Sequence, residues 1–249
     1  MATATRLFVT EPLRPDEGVM LNADQSHYLT RVLRLGVGDG VRLFNGQDGE
    51  WTAVIAEARK SAVTLTLSDR TREQGAASDL WLAFAPVKKA QTDFIVQKAT
   101  ELGAGRLIPV ITERTQSERV RTDRLAATAV EAAEQSERLD VPVVAEPVSL
   151  SELVDGWPDG RLLLVCAEAG NATPLAEIAA RNRGASVGFV TGPEGGFSVA
   201  ELDFIHKRPL VHTVGLGPRI LRAETAAVAA MAVWQAVAGD GVTRPPPRG

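Results

Sequence analysis

The sequence contains very little cysteine, because Cys166 is the single one in 249 residues. One cysteine excludes an intramolecular disulfide and any metal site built from several thiolates. Cys166 lies within the apolar run LLLVCA, a setting that favours a buried and unreactive thiol. The composition therefore points away from disulfide-stabilised proteins and from cysteine-rich metal centres, and we expect no metal.

Basic residues are not in excess either, since 27 Lys and Arg stand against 31 Asp and Glu, for a formal net charge of -4. This balance argues against a non-specific nucleic-acid coat, although a local basic patch is compatible with it. The chain also lacks an apolar run as long as a membrane span, and its start lacks an apolar signal segment. We therefore expect a cytoplasmic protein that has no membrane partner.

The first block of the chain, residues 1–72, alternates short β-type runs with turns. VRLF and EWTAVI flank Asn45-Gly46, one of the strongest short signals for a hairpin, and AVTLTL continues the pattern. One helix is predicted within this block, from Ser26 to Leu35, and Gly36 is placed to end it. The block is therefore predicted to be a small β domain.

A polar stretch at 68–79 predicts a linker, and after it strands and helices alternate. The strands are apolar along their whole length, which is typical of a parallel sheet covered by helices on both faces. The second block is therefore predicted to be an α/β domain over 78–240, followed by a disordered proline-rich tail at 241–249. Two of its helices have capping-box starts, Ser149 with Glu152 and Ser198 with Glu201.

Two glycine-rich turns follow apolar strands in the second block. The first, VTGPEGGFSVAEL (190–202), matches neither phosphate-binding fingerprint, and Glu194 would place negative charge beside a phosphate. The second, VGLGPRILRAETAAV (214–228), also leads into a helix. Because ligands of parallel sheets bind at the carboxyl ends of strands, we expect the two turns to form one pocket. A connection without a ligand is the alternative for the first turn taken alone.

The second turn also carries charged residues, Arg219, Arg222 and Glu224, just before the helix. That helix is apolar almost all round from Ala226 to Val237, so it must be buried in the core or at a subunit interface. Arginines beside such a helix are poorly explained as a solvated face. We therefore expect at least one of them to be functional.

At these residues the sequence resembles the RsmE family, SPOUT-class methyltransferases that methylate N3 of a uridine in 16S ribosomal RNA. The resemblance covers nearly the whole chain. It is carried by HYLTRVLRLGVGDGVRLFNG, KATELGAGRLIPVITERTQSER, EAAEQSER, GPEGGFSVAEL and LGPRILRAETA. One departure is Ala223, where a hydroxyl residue is expected between the arginine and Glu-Thr.

The resemblance implies a PUA-like β-barrel at the N-terminus and a SPOUT-type α/β domain with a C-terminal trefoil knot. It also implies a homodimer that acts in ribosome biogenesis, with S-adenosylmethionine bound in the knot beside the dimer interface. The residues implied to bind this cofactor form two loops, Gly192, Pro193, Glu194, Gly195 and Gly196 in one, and Leu216, Gly217, Ile220 and Leu221 in the other.

The implied chemistry suits the charged residues of the second turn. Methyl transfer from a sulfonium is an in-line displacement, so positioning supplies most of the catalysis. A cation near O2 or O4 stabilises the anion that forms when the uracil imide loses its proton. We assign that role to Arg219 or Arg222 and assign to Glu224 the orientation of an arginine. No residue is assigned as the general base.

Basic residues in both blocks are candidate contacts to RNA. His27, Arg31 and Arg34 have the spacing of one helical face, for which a merely solvated face is the alternative. Arg6 lies near them in sequence and is included. Three residues of the second block match family positions and are expected to hold phosphates, namely Lys88, Lys98 and Arg114.

A further helical stripe contains Glu131, Glu134, Gln135 and Arg138, within the EAAEQSER motif. One interpretation is a solvated face with a favourable Glu134–Arg138 pair. The other is a structural or substrate-binding role.

Two other functions are weighed against methyl transfer. A nucleotide-binding α/β oxidoreductase is disfavoured because the dinucleotide fingerprint is missing. A non-catalytic RNA-binding factor for ribosome assembly is disfavoured by the intact cofactor loops. The partner is 16S RNA, either free or within the assembled small subunit.

Overall fold

A computed structural model describes residues 5–59, 62–116, 119–167, 172–209 and 211–243. The chain divides into two compact units, of which the first comprises 1–77 and 130–141 and the second 78–129 and 142–249. The linear division predicted from the sequence did not include 130–141 in the first unit. Of the predicted tail at 241–249, residues 244–249 lie outside the described part of the chain.

The first unit contains a five-stranded sheet with the order β1-β3-β4-β5-β2. Its strands are β1 Arg6–Phe8, β2 Gly18–Met20, β3 Gly40–Phe44, β4 Glu50–Arg59 and β5 Ala62–Arg72. The predicted hairpin is confirmed, since β3 and β4 pair antiparallel and Gly46 in the turn has φ 78°. A core of leucine, valine and isoleucine side chains fills the unit, including Leu29, Leu43 and Ile55. Each such burial contributes about 1.5–3 kcal/mol.

The helix of the first unit differs from the prediction. Helix α1 spans Ala23–His27, and a π-helical turn over Tyr28–Val32 follows it directly. The helix begins earlier than predicted because the Asn22 side chain accepts a hydrogen bond from the Gln25 amide at 2.9 Å and caps its start. It also ends earlier, and Arg34 beyond it has φ 59°, in the left-handed region. The predicted helix from Ser26 to Leu35 is therefore wrong at both ends.

The second unit contains a sheet of eight strands. Seven of them follow the order β11-β13-β10-β12-β6-β7-β8, and β9 pairs with β7. The strands are β6 Leu80–Phe84, β7 Ala104–Ile111, β8 Val143–Val144, β9 Val148–Ser149, β10 Leu162–Cys166, β11 Thr173–Pro174, β12 Val187–Thr191 and β13 Val211–Gly215. Neighbouring strands pair in parallel throughout, which confirms the predicted parallel sheet.

The helices that follow these strands are α2 Lys89–Glu101, α3 Thr122–Gln135, α4 Leu150–Asp155, α5 Leu175–Arg181, α6 Val199–His206 and α7 Ala223–Val237. Helix α3 divides between the units, with residues from 130 onward in the first. Both predicted capping boxes are confirmed, at Ser149 for α4 and at Ser198 for α6. None of the helices within the described ranges is long and apolar enough to cross a membrane.

Helices cover both faces of the second sheet, as the apolar strands predicted. Val190 in β12 packs in a cluster with Leu153 of α4 and Ile205 of α6. Phe189, its neighbour on the strand, points to the opposite face and meets Trp234 of α7 edge-to-face at 6.0 Å. The sheet is therefore enclosed in the middle, and its carboxyl edge is left to loops.

Helix α7 buries one side within the chain. Ala227, Ala230, Met231 and Trp234 are buried, and the other side, including the exposed Ala236, is covered incompletely. The prediction allowed burial in the core or at a subunit interface. The core accounts for one face of the helix only.

Candidate active site

The two glycine-rich turns meet at the carboxyl edge of the second unit's sheet, as the sequence predicted. They line one pocket of about 950 Å³, together with Cys166 and Ala167 from the end of β10. The strand order explains this arrangement, because β10 lies between β12 and β13 and each strand ends at the same edge. No local signal in the sequence identified the end of β10 as part of the pocket.

All nine residues implied to bind the cofactor line this pocket, along with both arginines of the second turn: Gly192, Pro193, Glu194, Gly195, Gly196, Leu216, Gly217, Ile220, Leu221, Arg219 and Arg222. Glu224 is not among the lining residues. It lies half-buried in the first turn of α7, and within the described residues no ion pair joins it to an arginine. The structure therefore does not contain the predicted orientation of an arginine by Glu224.

The first turn is held at both of its ends. The Gly196 amide donates to the Pro193 carbonyl at 2.9 Å, and Gly196 has φ 66°, where a glycine is favoured. Phe197 is buried in the same apolar cluster as Leu202, and Ser198 caps α6. Residues 192–196 thus form a bend in which Glu194 and Gly195 are exposed and Pro193 is buried.

The second turn reaches α7 without a side-chain cap. Gly217 has φ 109°, a conformation that L side chains rarely adopt, and Arg222 is the N-cap residue without a side-chain hydrogen bond to the helix. Ile220 lines the pocket and yet is 84% exposed, which is unusual for a large apolar residue. This turn therefore presents both an apolar surface and cationic side chains.

Three charged residues line the pocket. Arg219, Arg222 and Glu194 are exposed, and across the described ranges none of the three makes an ion pair within 4.0 Å. Cys166 also lines the pocket and keeps partial exposure as a residue, but burial of its thiol raises the pKa of Cys166 to about 12. The thiol therefore stays protonated at neutral pH and is not a nucleophile. In the part of the chain that the structure describes, no group of three or more potential ligands is arranged for a metal ion.

The basic residues of the second unit occupy different surroundings. Lys88 is exposed at the N-cap of α2. The ammonium of Lys98 is 2.7 Å from Glu101, so its charge is largely compensated. Arg114 donates from Nη1 to the carbonyl oxygen of Gly195 at 2.7 Å. Arg114 thus contacts the first turn of the pocket, which sequence reasoning missed because the two residues are far apart along the chain.

The candidate RNA contacts of the first unit are exposed at His27, Arg31 and Arg34. Arg34 does not share a helical face with His27 and Arg31 as predicted, because the helical segment ends at Val32 and Arg34 has a left-handed backbone. His27 and Arg31 lie on the helical segment itself.

Arg6 is not an exposed basic residue, and its prediction as an RNA contact is wrong. Its Nε donates to the buried Glu50 carboxylate at 2.7 Å, and its side chain is 4% exposed. The remaining donors bond the carbonyls of Ala133, Glu134 and Arg138 at 2.7–3.1 Å. Burial lowers the pKa of Arg6, and the hydrogen bond and charge of Glu50 oppose that shift. Four of the five N–H donors of Arg6 are thus used inside the first unit.

The EAAEQSER motif has a structural role in the same unit. Helix α3 ends at Gln135, Glu137 has φ 59°, and Arg138 pairs with Asp140 at 3.1 Å. Glu134 instead accepts a hydrogen bond from the Phe8 amide at 2.9 Å, and burial raises the pKa of Glu134. Of the two interpretations of this stripe, the structure therefore favours a structural role over a solvated face with a Glu134–Arg138 pair.

Comparisons with known proteins agree with this fold and pocket. The model of the RNA methyltransferase domain matches residues 74–235, and that of the RNA methyltransferase PUA domain matches 21–68. The chain is 33% identical over 229 residues to ribosomal RNA small subunit methyltransferase E of Rickettsia conorii, covering 91% of this chain and 93% of that protein. It is 35% identical over 234 residues to the Synechocystis protein of the same name, covering 92% and 76%.

Solved structures give the same result. One is a ribosomal RNA small subunit methyltransferase E from Neisseria gonorrhoeae bound to S-adenosylmethionine, with a TM-score of 0.85 and 29% identity over 95% of this chain and 99% of that one. Another is a Legionella pneumophila methyltransferase in complex with the same cofactor, with a TM-score of 0.84 and 28% identity over 94% and 98%. An α/β unit with this pocket, in one chain with a PUA-like unit, defines an RNA methyltransferase. The chain belongs to the RsmE family of these enzymes.

Proposed function

We propose that this protein transfers the methyl group of S-adenosylmethionine to N3 of a uridine in 16S ribosomal RNA. The main support for the proposal is that the GPEGG and LGPRIL turns bring all nine implied cofactor residues to the same pocket. Membership of the RsmE family and two similar structures bound to S-adenosylmethionine support it.

The pocket suits this cofactor in size and in lining. Its volume of about 950 Å³ lies within the range of small-molecule sites, and glycine, alanine and proline make up much of its wall. Such residues let backbone amides and carbonyls approach a flat ligand, which suits an adenine ring and a ribose. Gly192–Gly196 would hold one side of the cofactor and Leu216–Leu221 the other. When bound, the cofactor supplies the electrophilic methyl group.

The protein's own contribution is to place and stabilise the uracil. Arg219 and Arg222 line the pocket, and neither guanidinium group forms an ion pair with any residue of described position, so we expect their donors to be available to O2 or O4. A fixed cation at such an oxygen stabilises the imide anion as N3 loses its proton. Glu224 lies in the first turn of α7, and we assign it an indirect role in orienting an arginine, without a direct ion pair.

The proposal extends to the partners of the protein. His27, Arg31 and Arg34 in the first unit, and Lys88 in the second, are exposed cations that would contact RNA phosphates. The partly covered face of α7 supports a homodimer contact. The sheet order, with β13 beside β10 rather than beside β12, supports the knotted chain path of the SPOUT class. We place the reaction in the cytoplasm, where small subunits assemble.

The test is the methylation state of 16S RNA in a strain that lacks this protein. Mass spectrometry should show one uridine without its N3 methyl group, and the methyl group should return when the wild-type protein is supplied. The purified protein should then label either free 16S RNA or small subunits from radioactive S-adenosylmethionine, and the comparison identifies the substrate form. If N3 methylation of the uridine is unchanged in the deletion strain, the enzymatic proposal is wrong, and the alternative of a non-catalytic assembly factor remains.

A further inference from the structure

The loop that follows β7 contacts the first turn of the pocket at two points. The Glu113 amide donates to Oε1 of Glu201 at 2.8 Å, and Arg114 Nη1 donates to the Gly195 carbonyl at 2.7 Å. The other oxygen of Glu201 accepts from the Ser198 amide at 2.8 Å, within the capping box of α6. The loop after β7 is thus bonded both to the bend and to the residue that fixes the end of the bend.

The side chain of Arg114 also packs flat against Gly195. A Cβ atom added to Gly195 would lie 3.3 Å from Cδ of Arg114 and 3.5 Å from its Cβ. A contact at 3.3 Å is tighter than nine in ten real Cβ contacts, so an alanine here would require the Arg114 side chain to shift by a few tenths of an ångström. The absence of a side chain at Gly195 therefore leaves room for the close approach of Arg114.

Arg114 is presented from an ordered turn. The Thr112 amide donates to Oγ1 of Thr115 at 2.9 Å, and the Thr115 amide donates to the Thr112 carbonyl at 3.1 Å. Thr112 is buried, which anchors the turn in the second unit. Among the residues with described positions, no carboxylate lies within 4.0 Å of the Arg114 guanidinium. Its hydrogen bond to the Gly195 carbonyl is therefore charge-assisted, and no neighbouring carboxylate of described position competes for the guanidinium.

We propose that Arg114 is a positioning residue for the cofactor pocket. It fixes the carbonyl of Gly195 and with it the bend at 192–196, so that the bend is already shaped before the cofactor binds. This inference rests on the proposed binding of S-adenosylmethionine. It assigns Arg114 to the binding of the cofactor and replaces the phosphate contact that its match to a family position implied.

The test compares Arg114→Met, which keeps the aliphatic stem and removes the donors, with Arg114→Lys, which keeps charge and one donor group. Arg121→Met is the matched control, because Arg121 lies on the same segment and pairs with Asp123 rather than with the bend. Hydrogen–deuterium exchange of the ligand-free proteins reports the bend directly. We expect faster exchange in the peptide over 192–197 for Arg114→Met, a smaller change for Arg114→Lys, and no change for Arg121→Met.

Calorimetry with S-adenosylmethionine completes the test. The Kd should rise roughly tenfold in Arg114→Met, the loss of one charge-assisted hydrogen bond, and recover in part in Arg114→Lys. In turnover, KM for the cofactor should rise while kcat changes little, since the contact is made before the transition state. Unchanged exchange and cofactor Kd, with weaker RNA binding alone, overturn the inference and make Arg114 a phosphate contact. If the wild-type protein fails to bind S-adenosylmethionine, the proposed function fails, and the exchange comparison still decides whether Arg114 holds the bend.

Discussion

Arg6 in the first unit and Arg222 in the second were both predicted from sequence to meet the substrate. The Arg6 side chain is 4% exposed, and its donors are taken by the Glu50 carboxylate and by three carbonyl groups. Arg222 is exposed at the pocket, and the described residues give it neither an ion pair nor a side-chain hydrogen bond. The donors of the Arg6 guanidinium are engaged in hydrogen bonds within the fold, whereas those of the Arg222 guanidinium are available to a ligand.

The comparison shows what decides the role of an arginine in this protein. A buried guanidinium is tolerated only when a carboxylate and several acceptors compensate its lost hydration. An exposed one beside a pocket costs little to maintain, and so it is available for chemistry. The partners of each arginine, and not the motif that contains it, separate a structural residue from a candidate catalytic one.

The largest expected effect is on folding, from removal of the carboxylate that Arg6 needs. Glu50→Ala leaves Arg6 buried without its counter-charge, and Arg42 and Arg72 lie within 4.0 Å of the same carboxylate. We expect the free energy of unfolding to fall by about 3–5 kcal/mol, measured by urea denaturation. Glu57→Ala is the control on the same strand, since Glu57 forms an exposed pair with Arg59 and should cost less than about 1 kcal/mol. Equal losses for the two variants would contradict the contrast.

The next effect is on turnover and leaves folding unchanged. Arg222→Ala should lower kcat by roughly 10²–10³-fold, the usual loss when one group that stabilises a developing anion is removed. The Kd for S-adenosylmethionine and the unfolding midpoint should stay at wild-type values. Arg183→Ala, at an exposed position outside the pocket lining, is the control. Near-normal turnover with normal cofactor binding moves the assignment to Arg219, which the same assay tests.

The smallest expected effect comes from loss of a helix capping box. It distinguishes a change in the stability of the whole protein from a local change at the pocket. Ser198→Ala and Ser149→Ala each remove the same kind of capping box, from α6 and from α4. Each should lower the free energy of unfolding by about 1 kcal/mol in urea denaturation. Only Ser198→Ala should also weaken binding of S-adenosylmethionine, because Ser198 fixes one end of the first turn. A similar loss of cofactor affinity in Ser149→Ala would show that the turn responds to global stability.

Local features of the fold were readable from the sequence. Asn45-Gly46 predicted the hairpin, and the two Ser-x-x-Glu spacings predicted helix starts, because each of these signals involves neighbours along the chain. The apolar strands predicted the parallel sheet for the same reason. The pairing of the two glycine-rich turns followed from the rule that such strands end at one edge.

What the sequence did not reveal depends on distant partners. Glu50 lies 44 positions from Arg6, and Ala133 lies 127 positions from it, so the burial of Arg6 has no local signature. The contact between Arg114 and Gly195 spans 81 positions. In each case, tertiary contacts outweighed the local pattern.

The segment at 130–141 gives the first unit two pieces of chain, so the polypeptide passes between the units at 77–78, at 129–130 and again at 141–142. The N-terminal region is therefore not a module that a single recombination event can exchange. A chimaera that takes residues 1–77 from a relative keeps the 130–141 segment of this protein. The relative's residue at the position of Arg6 must then bond the carbonyl groups of this protein's Ala133, Glu134 and Arg138. Exchange of the whole first unit therefore requires both pieces of chain, 1–77 and 130–141, to be transferred together.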